Sequence, residues 1–242
     1  MLMKAKLIEN KSEAKGTKSF VFKTDNQISF LPGQFVYITL PKLDFPDSRG
    51  ATRHFTVSLS PTESKNTMQI TTRIRDESGY KKTLDALLIG SEVEMEGPSG
   101  TFVLDEKTES TNHIFLAGGI GITPFRAFIK YNLDKGLKIP MNLIYSNGDS
   151  DFVFKKELEK WGKENDFIKV ELFDTSKSGH LDKVVLQKLL PDSRFKKNAS
   201  LRVQDSTFWL VGPPPFVSAL EDVLESLKIP ASNVITEKFT GY

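Results

Sequence analysis

A glycine-rich segment in the middle of the chain could bind a phosphate group. It reads Leu116-Ala117-Gly118-Gly119-Ile120-Gly121-Ile122-Thr123-Pro124 and begins in an apolar run. Glycines let backbone amides and the positive end of a helix approach a pyrophosphate. We predict that Thr123 caps this helix and that Pro124 is its first residue. The usual dinucleotide fingerprint has Gly or Ala where this chain has Pro124, so a tight structural turn is an equally good interpretation.

A second motif, Arg53-His54-Phe55-Thr56, could hold a phosphate and an aromatic ring. In a strand, Arg53 and Phe55 point to one face while His54 and Thr56 point to the other. Arginine offers phosphate a bidentate fork, and an aromatic ring offers a stacking surface. The simpler interpretation is a solvated arginine and a phenylalanine of the core.

A third motif, Leu210-Val211-Gly212-Pro213-Pro214-Pro215-Phe216, joins a buried strand to a helix. Its three prolines remove backbone donors and stiffen the loop, which suits a wall for an aromatic ring. A rigid structural turn is the simpler interpretation.

The elements that position these motifs differ between the two halves of the chain. Up to about Asp105, short apolar runs broken by turn formers indicate strands, and we predict a short helix near Thr83–Leu88 and turns at Pro32-Gly33, Asp76–Gly79 and Gly97-Pro98-Ser99-Gly100. A closed antiparallel barrel follows, because it leaves no exposed edge. The predicted strands are Thr17–Lys23, Phe35–Leu40, Phe55–Ser58, Met68–Arg75 and Glu92–Glu96.

After the polar stretch Asp105–Asn112, apolar strands alternate with amphipathic helices, which predicts parallel βαβ units. Ligands of such sheets bind at the carboxyl ends of the strands. Residues 191–206 are expected to form a surface excursion. The predicted strands are Ile114–Ala117, Asn142–Tyr145, Ile168–Phe173, Phe208–Val211 and Val234–Thr236, and the predicted helices lie near Pro124–Asn132, Val153–Trp161, Leu181–Leu190 and Pro215–Leu227.

The composition narrows the chemistry. The chain of 242 residues has no cysteine, which excludes disulfides, thiolate catalysis and cysteine-ligated clusters, so redox chemistry needs a borrowed cofactor. A net charge of +2 from interspersed residues favours neither nucleic acid nor an anionic membrane as partner. The three histidines are widely spaced, and we expect no metal site. We see no membrane span or leader and expect a cytoplasmic protein.

In this order and spacing, the motifs resemble the ferredoxin–NADP reductase family of FAD-dependent reductases, in its compact bacterial form without an iron–sulfur domain. Two further matches are Gly97-Pro98-Ser99-Gly100 and the final Glu237-Lys238-Phe239-Thr240-Gly241-Tyr242. The resemblance implies an antiparallel Greek-key β-barrel that binds FAD, over residues 1–106. It also implies a nicotinamide domain with a parallel five-stranded sheet, over residues 107–242.

The resemblance also implies roles for individual residues. Arg53 would pair with the FAD pyrophosphate, Phe55 would stack on the flavin ring, and Thr56 would place its hydroxyl near the flavin atom that receives hydride. Thr56 and Glu237 are the predicted catalytic residues. The other predicted FAD contacts are His54, Thr72, Lys81, Lys82, Thr83, Phe239 and Tyr242. The predicted NAD(P) contacts are Gly118, Gly119, Gly121, Thr123, Pro124, Ser146, Asn147, Ser176, Lys177, Gly212 and Pro213.

The chain departs from the family pattern at four places. Phe55 stands where Tyr is common, and Val211 stands where many members have Cys. Tyr80-Lys81-Lys82-Thr83 replaces a segment that usually carries a pyrophosphate-binding Ser, so we expect a helix N-terminus and lysine charge to take over that contact. Gly148 follows Asn147 where relatives often have an Arg for a 2′-phosphate.

The sequence leaves the choice between NADH and NADPH open. Ser176 and Lys177 could hold a 2′-phosphate, whereas Asp149 or Asp174 could accept from a ribose hydroxyl. The predicted function is transfer of electrons from NADH or NADPH through FAD to a separate acceptor, either a small molecule or a ferredoxin- or flavodoxin-like protein. The alternatives are a reductase of free flavin or a quinone, and a non-catalytic nucleotide-binding or partner-docking module.

Overall fold

The computed structural model describes residues 1–104, 112–190 and 203–240, and the chain divides into two compact units. The first unit contains Met1–Leu104 together with the helical segment Arg126–Lys135. The second contains the described parts of Asp105–Phe125 and Gly136–Thr240. The predicted boundary after residue 106 lies outside the described residues.

The first unit is built on a six-stranded antiparallel sheet in the order β4-β3-β6-β1-β2-β5. A bridge between Val57 and Ile70 joins the two ends of this sheet. The sheet therefore closes on itself, as predicted for a barrel. The elements are β1 (Leu2–Ala14), β2 (Thr17–Thr24), β3 (Phe35–Thr39), β4 (Thr52–Thr56), β5 (Thr67–Arg73), α1 (Gly79–Ala86) and β6 (Glu92–Ser99).

Alternation of buried and exposed residues explains the barrel. Along β2 the side chains of Phe20 and Phe22 are fully buried, as are Met68 and Ile70 opposite them on β5. Burial of each such side chain contributes about 1.5–3 kcal/mol before the cost of ordering it. The pairing register therefore places the apolar set of each strand in one core.

The first unit differs from the prediction in several details. The predicted strands do not include β1, and β4 covers Thr52–Thr56 instead of the predicted Phe55–Ser58. Gly97-Pro98-Ser99 does not form a turn, because β6 runs through it to Ser99 and pairs with Phe35 across a register shift. Helix α1 begins at Gly79, inside the predicted Asp76–Gly79 turn, because the Ser78 side chain accepts a hydrogen bond from the Lys81 N–H and caps the helix there.

The second unit is a five-stranded parallel sheet in the order β11-β10-β7-β8-β9, with helices between the strands, as predicted. All six residues of the central strand β7 are buried. Helix α2 (Ile122–Lys135) begins in this unit, and its residues from Arg126 onward belong to the first unit. The other elements are β7 (His113–Gly118), β8 (Met141–Asn147), α3 (Lys155–Glu164), β9 (Ile168–Asp174), α4 (Thr175–Ser178), α5 (Lys183–Leu189), β10 (Thr207–Gly212), α6 (Pro214–Ser226) and β11 (Val234–Lys238). Most of the predicted 191–206 excursion lies outside the described residues.

A buried polar pair lies at the start of the central strand. The Trp209 Nε1–H of β10 donates to Nδ1 of His113 at 3.0 Å. Burial lowers the pKa of His113 to about 4, so the ring is neutral at pH 7 and can accept this bond. His113 is thus a structural strand residue, in agreement with the prediction.

Within the described residues, no helix combines the length and the apolarity needed to cross a bilayer.

Candidate cofactor sites in the two units

The guanidinium of Arg53 is the centre of a polar site at the end of the barrel. The Arg53 side chain is only 9% exposed. Its Nη1 donates to the backbone carbonyls of Arg49, Gly50 and Thr52 at 2.7–3.0 Å. Its Nη2 donates to Oδ1 of Asp47 at 2.5 Å. The loop before β4 therefore holds the guanidinium in place, and the expectation of a solvated arginine is wrong.

Asp47 accepts hydrogen bonds from four groups. Besides Arg53, the Arg49 N–H donates to Oδ1 at 3.0 Å, and the Tyr80 N–H and Ser78 hydroxyl donate to Oδ2 at 2.9 and 3.1 Å. Burial alone would raise the pKa of Asp47, but these hydrogen bonds and the Arg53 charge lower it to about 2. The carboxylate is therefore ionised at any ordinary pH.

The N-terminus of α1 supplies part of this site. Lys81, in its first turn, is 4% exposed, and burial followed by the charges of Arg75, Arg49, Arg53 and Arg73 lowers its pKa to about 8. The arrangement of a helix start beside clustered cations is suited to a phosphate group. A cavity of about 540 Å³ is lined by Pro46, Asp47, Ser48, Arg49, Arg53, Arg75, Glu77, Ser78 and Lys81.

Three other predicted FAD residues of the barrel have structural contacts. The Thr83 hydroxyl donates to the Gly79 carbonyl at 2.8 Å and accepts from the Asp44 N–H at 3.1 Å, so it fastens the β3–β4 loop to α1. Lys82 places its ammonium 4.4 Å from the ring centroid of Phe45. Thr72 is buried on β5. Their contacts with FAD remain predictions.

The two faces of β4 carry different side chains. Phe55 is 9% exposed and packs in the barrel core with its ring centroid 6.0 Å from that of Tyr80. His54 points to the other face, where its ring lies 5.4 Å from Phe35 and 5.8 Å from Tyr37. Thr56 is buried at the end of the strand. Phe55 therefore matches the interpretation of a core phenylalanine, and flavin stacking on it remains a prediction.

In the second unit, the glycine-rich segment lies where the strand order changes direction. From β7 the chain proceeds to β8 and β9 on one side, then returns to β10 and β11 on the other. Ligands of open parallel sheets bind at such a switch point, beyond the carboxyl ends of the strands. Gly118 ends β7 and Gly212 ends β10, and a Cβ built on Gly212 would lie 3.2 Å from the Gly118 Cα. The two predicted nucleotide motifs therefore meet at one crevice.

The glycines of this segment have different reasons to be glycine. A Cβ on Gly121 would lie 2.2 Å from the Val211 carbonyl oxygen, and a Cβ on Gly118 would lie 2.6 Å from the Phe216 ring. Packing within the protein requires both. Gly119 has φ +55° and nothing within 4 Å of a built Cβ. It is the glycine of the three that leaves open space for a ligand to approach the backbone.

The predicted cap of α2 is wrong. The helix begins at Ile122, directly after a 3₁₀ turn at Gly119–Gly121. The Thr123 hydroxyl donates to the Ile120 carbonyl at 3.1 Å and so does not accept a backbone N–H bond as a capping group would. Pro124 accordingly lies inside the first turn.

The predicted ribose residues lie at the ends of β8 and β9. Asn147, 6% exposed, donates to the Asp149 carboxylate at 2.9 Å, and Ser146 beside it is 5% exposed. Asp174 ends β9 and caps α4: Oδ1 accepts from the Ser176 N–H at 3.0 Å and from the Ser176 hydroxyl at 2.6 Å. The Lys177 ammonium lies 3.3 Å from the other oxygen, Oδ2. Both groups predicted for a 2′-phosphate are thus engaged by one carboxylate.

The last strand brings a buried carboxyl group beside β10. Glu237 pairs with Val211 in the parallel register, and burial raises its pKa to about 7. Its Oε2 is buried without a hydrogen-bond partner among the described residues. The Phe239 N–H donates to the Gly212 carbonyl at 2.9 Å, and Pro213 is the residue before α6. Tyr242 lies outside the described residues.

Sequence reasoning missed four residues that line the first site: Asp47, Ser78, Arg49 and Arg75. Ser78 had a readable signal, since Ser before a short polar helix is a common cap. Asp47 had none, because only the folded loop brings it to the helix start. No cluster of His, Asp and Glu that could hold a metal ion occurs in the described parts of the chain.

Two family models match the chain, in the order that the motifs predict. The model described as an oxidoreductase FAD-binding domain matches residues 4–104, and that described as an oxidoreductase NAD-binding domain matches residues 115–222. The chain is 28% identical over 243 residues to flavohemoprotein A of Dictyostelium discoideum, covering 94% of this chain and 57% of that protein. It is 26% identical over 236 residues to the glycine betaine monooxygenase reductase subunit of Chromohalobacter salexigens, covering 92% and 60%.

The fold recurs in solved structures. The cytochrome b5 reductase domain of Ulva prolifera nitrate reductase superimposes with a TM-score of 0.78 at 21% identity, covering 98% of this chain and 97% of that one. The chain spans about three fifths of the length of the curated relatives it matches. Because both domain models match in sequence order and the fold agrees, the chain belongs to the ferredoxin reductase-like family of FAD- and NAD-binding oxidoreductases.

Proposed function

We propose that this chain takes hydride from NADH onto a bound FAD and passes the electrons to a separate acceptor. The observation that carries the proposal is a phosphate-type site in each unit: Arg53 beside the start of α1, and the open Gly119 at the switch point. In this proposal residues 1–106 form the FAD domain and residues 107–242 the nicotinamide domain.

The residues of the first site fit FAD. Arg53, the amides at the start of α1 and Lys81 are cationic or donor groups, as the diphosphate requires. FAD, when bound, supplies a ring that accepts two electrons as hydride and releases them one or two at a time. Hydride transfer requires no protein acid or base, so the work of the chain is to position the two rings and exclude water. Thr56 and Glu237 are the residues we assign to that positioning.

A flavin spectrum tests this function directly. We expect the purified chain to be yellow, and its flavin band to bleach when NADH is added without oxygen. A colourless protein that turns over added flavin would support the free-flavin alternative, which the missing hydroxyl at Phe55 favours. A chain that neither binds nor reduces flavin would contradict both.

We further propose that NADH is preferred over NADPH, because of Asp174. Its carboxylate engages the Ser176 hydroxyl and the Lys177 ammonium, and it would repel a 2′-phosphate while accepting from a 2′-hydroxyl. The hydrogen bond from Ser176 also lowers the pKa of Asp174, which keeps it charged.

Asp174→Asn tests the preference while keeping an oxygen to cap α4. We expect the ratio of kcat/KM for NADPH to that for NADH to rise about tenfold. Asp182→Asn is the matched control, because Asp182 caps α5 in the same way and should leave the ratio unchanged. An unchanged ratio in Asp174→Asn would remove Asp174 as the determinant.

The acceptor is proposed by class. The relative from Chromohalobacter salexigens is named as a reductase subunit of a monooxygenase, which supports delivery of electrons to a separate protein. Reoxidation rates of the reduced chain with ferredoxin, flavodoxin, quinone and free flavin would rank the candidates, and equal rates for all four would contradict a dedicated protein acceptor.

A further inference from the structure

Asp47 accepts the donors that a phosphate would use. Two backbone N–H groups, a hydroxyl and a guanidinium converge on its carboxylate at 2.5–3.1 Å. Two of these four groups, Ser78 and Tyr80, belong to the start of α1. Such a set of oriented amides with an arginine is the usual environment of a phosphate oxyanion.

The cavity around Asp47 is lined by more basic than acidic side chains. Arg49, Arg53, Arg75 and Lys81 line the same cavity, whereas Asp47 and Glu77 are its acidic residues. Close like charges destabilise one another, and an anion with two or more charges relieves that repulsion. The cavity is therefore suited to a polyvalent anion, and Asp47 provides a single negative charge within it.

We infer that Asp47 is a resident anion of the phosphate site, which competes with the FAD diphosphate for Arg53 and the start of α1. The inference rests on the proposed binding of FAD in this unit. The Asp47 carboxylate and a phosphate oxygen cannot accept the same hydrogens, and if both remained near Arg53 their charges would repel. In either case Asp47 weakens FAD binding and makes the flavin exchangeable. Asp47 is thus a residue that sets flavin affinity.

The test compares FAD release from three full-length variants with release from the parent chain. Each protein is loaded with FAD and diluted, and the fluorescence of released flavin gives Kd. We expect Asp47→Asn to bind FAD at least about tenfold more tightly, since a charged competitor for several hydrogen bonds is removed. Asp47→Glu keeps the charge and should stay close to the parent.

Glu77→Gln is the matched control, because it removes one negative charge from the same cavity without touching the donor set. We expect it to change Kd less than about threefold. If Asp47→Asn and Glu77→Gln tighten binding equally, only net charge matters and the inference is wrong. If Asp47→Asn weakens binding, Asp47 is a scaffold for Arg53, and the inference is equally wrong. Asp47→Ser takes the place of Asp47→Asn if the latter is insoluble.

Inorganic pyrophosphate separates this inference from the proposed function. In the flavin-depleted full-length chain, pyrophosphate should raise Tm more in Asp47→Asn than in the parent, although Asp47→Asn alone should melt at a lower temperature. A parent chain that never binds FAD would contradict the proposed function, and the pyrophosphate result would still decide the role of Asp47. Equal shifts of Tm in the parent and in Asp47→Asn would overturn the inference that Asp47 competes with a phosphate group.

Discussion

Glu237 is a carboxyl group placed where its charged form is costly. Burial raises its pKa from the ordinary 4.5 to about 7, and its Oε2 has no hydrogen-bond partner within the described residues. An acid whose folded pKa is raised favours folding in its protonated form. Ionisation of Glu237 therefore leaves the free energy of unfolding unchanged below about pH 4.5 and lowers it progressively as the pH rises to about 7.

Glu237→Gln should remove this pH dependence. From pH 5 to pH 8 we expect the parent to lose up to about 3 kcal/mol of unfolding free energy through this group, and the variant to lose less. Urea unfolding at several pH values measures this change in the free energy of unfolding. Glu225→Gln, at an exposed position of α6, is the control. Parallel curves for the parent and Glu237→Gln would show that Glu237 is not the group responsible.

At the scale of elements, the turn between β7 and α2 depends on one close approach. A Cβ on Gly121 would lie 2.2 Å from the backbone oxygen of Val211, and neither atom can rotate away. Gly119, two residues earlier, faces open space, so the fold itself requires glycine there only for its φ of +55°.

We expect Gly121→Ala to lose more than about 3 kcal/mol of stability or to be insoluble, because a strand end must shift. Gly119→Ala should lose about 1 kcal/mol, the cost of a left-handed conformation. Gly148→Ala, where nothing lies within 4 Å and φ is ordinary, should stay within about 0.5 kcal/mol. Denaturant unfolding ranks the three, and a Gly121→Ala chain as stable as Gly148→Ala would contradict this account of the turn.

The sequence predicted most of the elements, although not β1, because their signals are local. The continuous apolar run of β7 and the alternation along β2 can each be recognised within a few neighbouring residues. The predicted start of α1, near Thr83, lies one turn after the observed start at Gly79. The periodicity of α1 is weak, and the capping bond to Ser78 determines where the helix begins. Asp47 could not be found from sequence. The Asp47 carboxylate accepts a hydrogen bond from the Tyr80 N–H, and these two residues are far apart in the chain and come together only in the folded barrel.

At the scale of the whole molecule, the proposed function assigns the binding of flavin and the binding of nicotinamide to different units. A change in one unit should therefore affect one ligand. We expect Gly119→Val, which places a branched side chain in the open space of the second site, to retain FAD and remain reducible by dithionite while reduction by NADH slows more than about tenfold. Arg53→Ala should instead lose FAD. Loss of flavin in Gly119→Val would contradict the separate assignment of the two sites.

Both tryptophans of the chain, Trp161 in α3 and Trp209 in β10, lie in the second unit. Their emission is thus an internal probe of that unit, whereas flavin would report on the first unit when FAD binds there as we propose. Trp209 is additionally tied to His113, whose protonation below about pH 4 removes the acceptor of its indole N–H. Acid titration should shift the tryptophan emission of the second unit as that bond is lost. Tryptophan emission and flavin fluorescence are thus two separate signals, one for each unit of the chain.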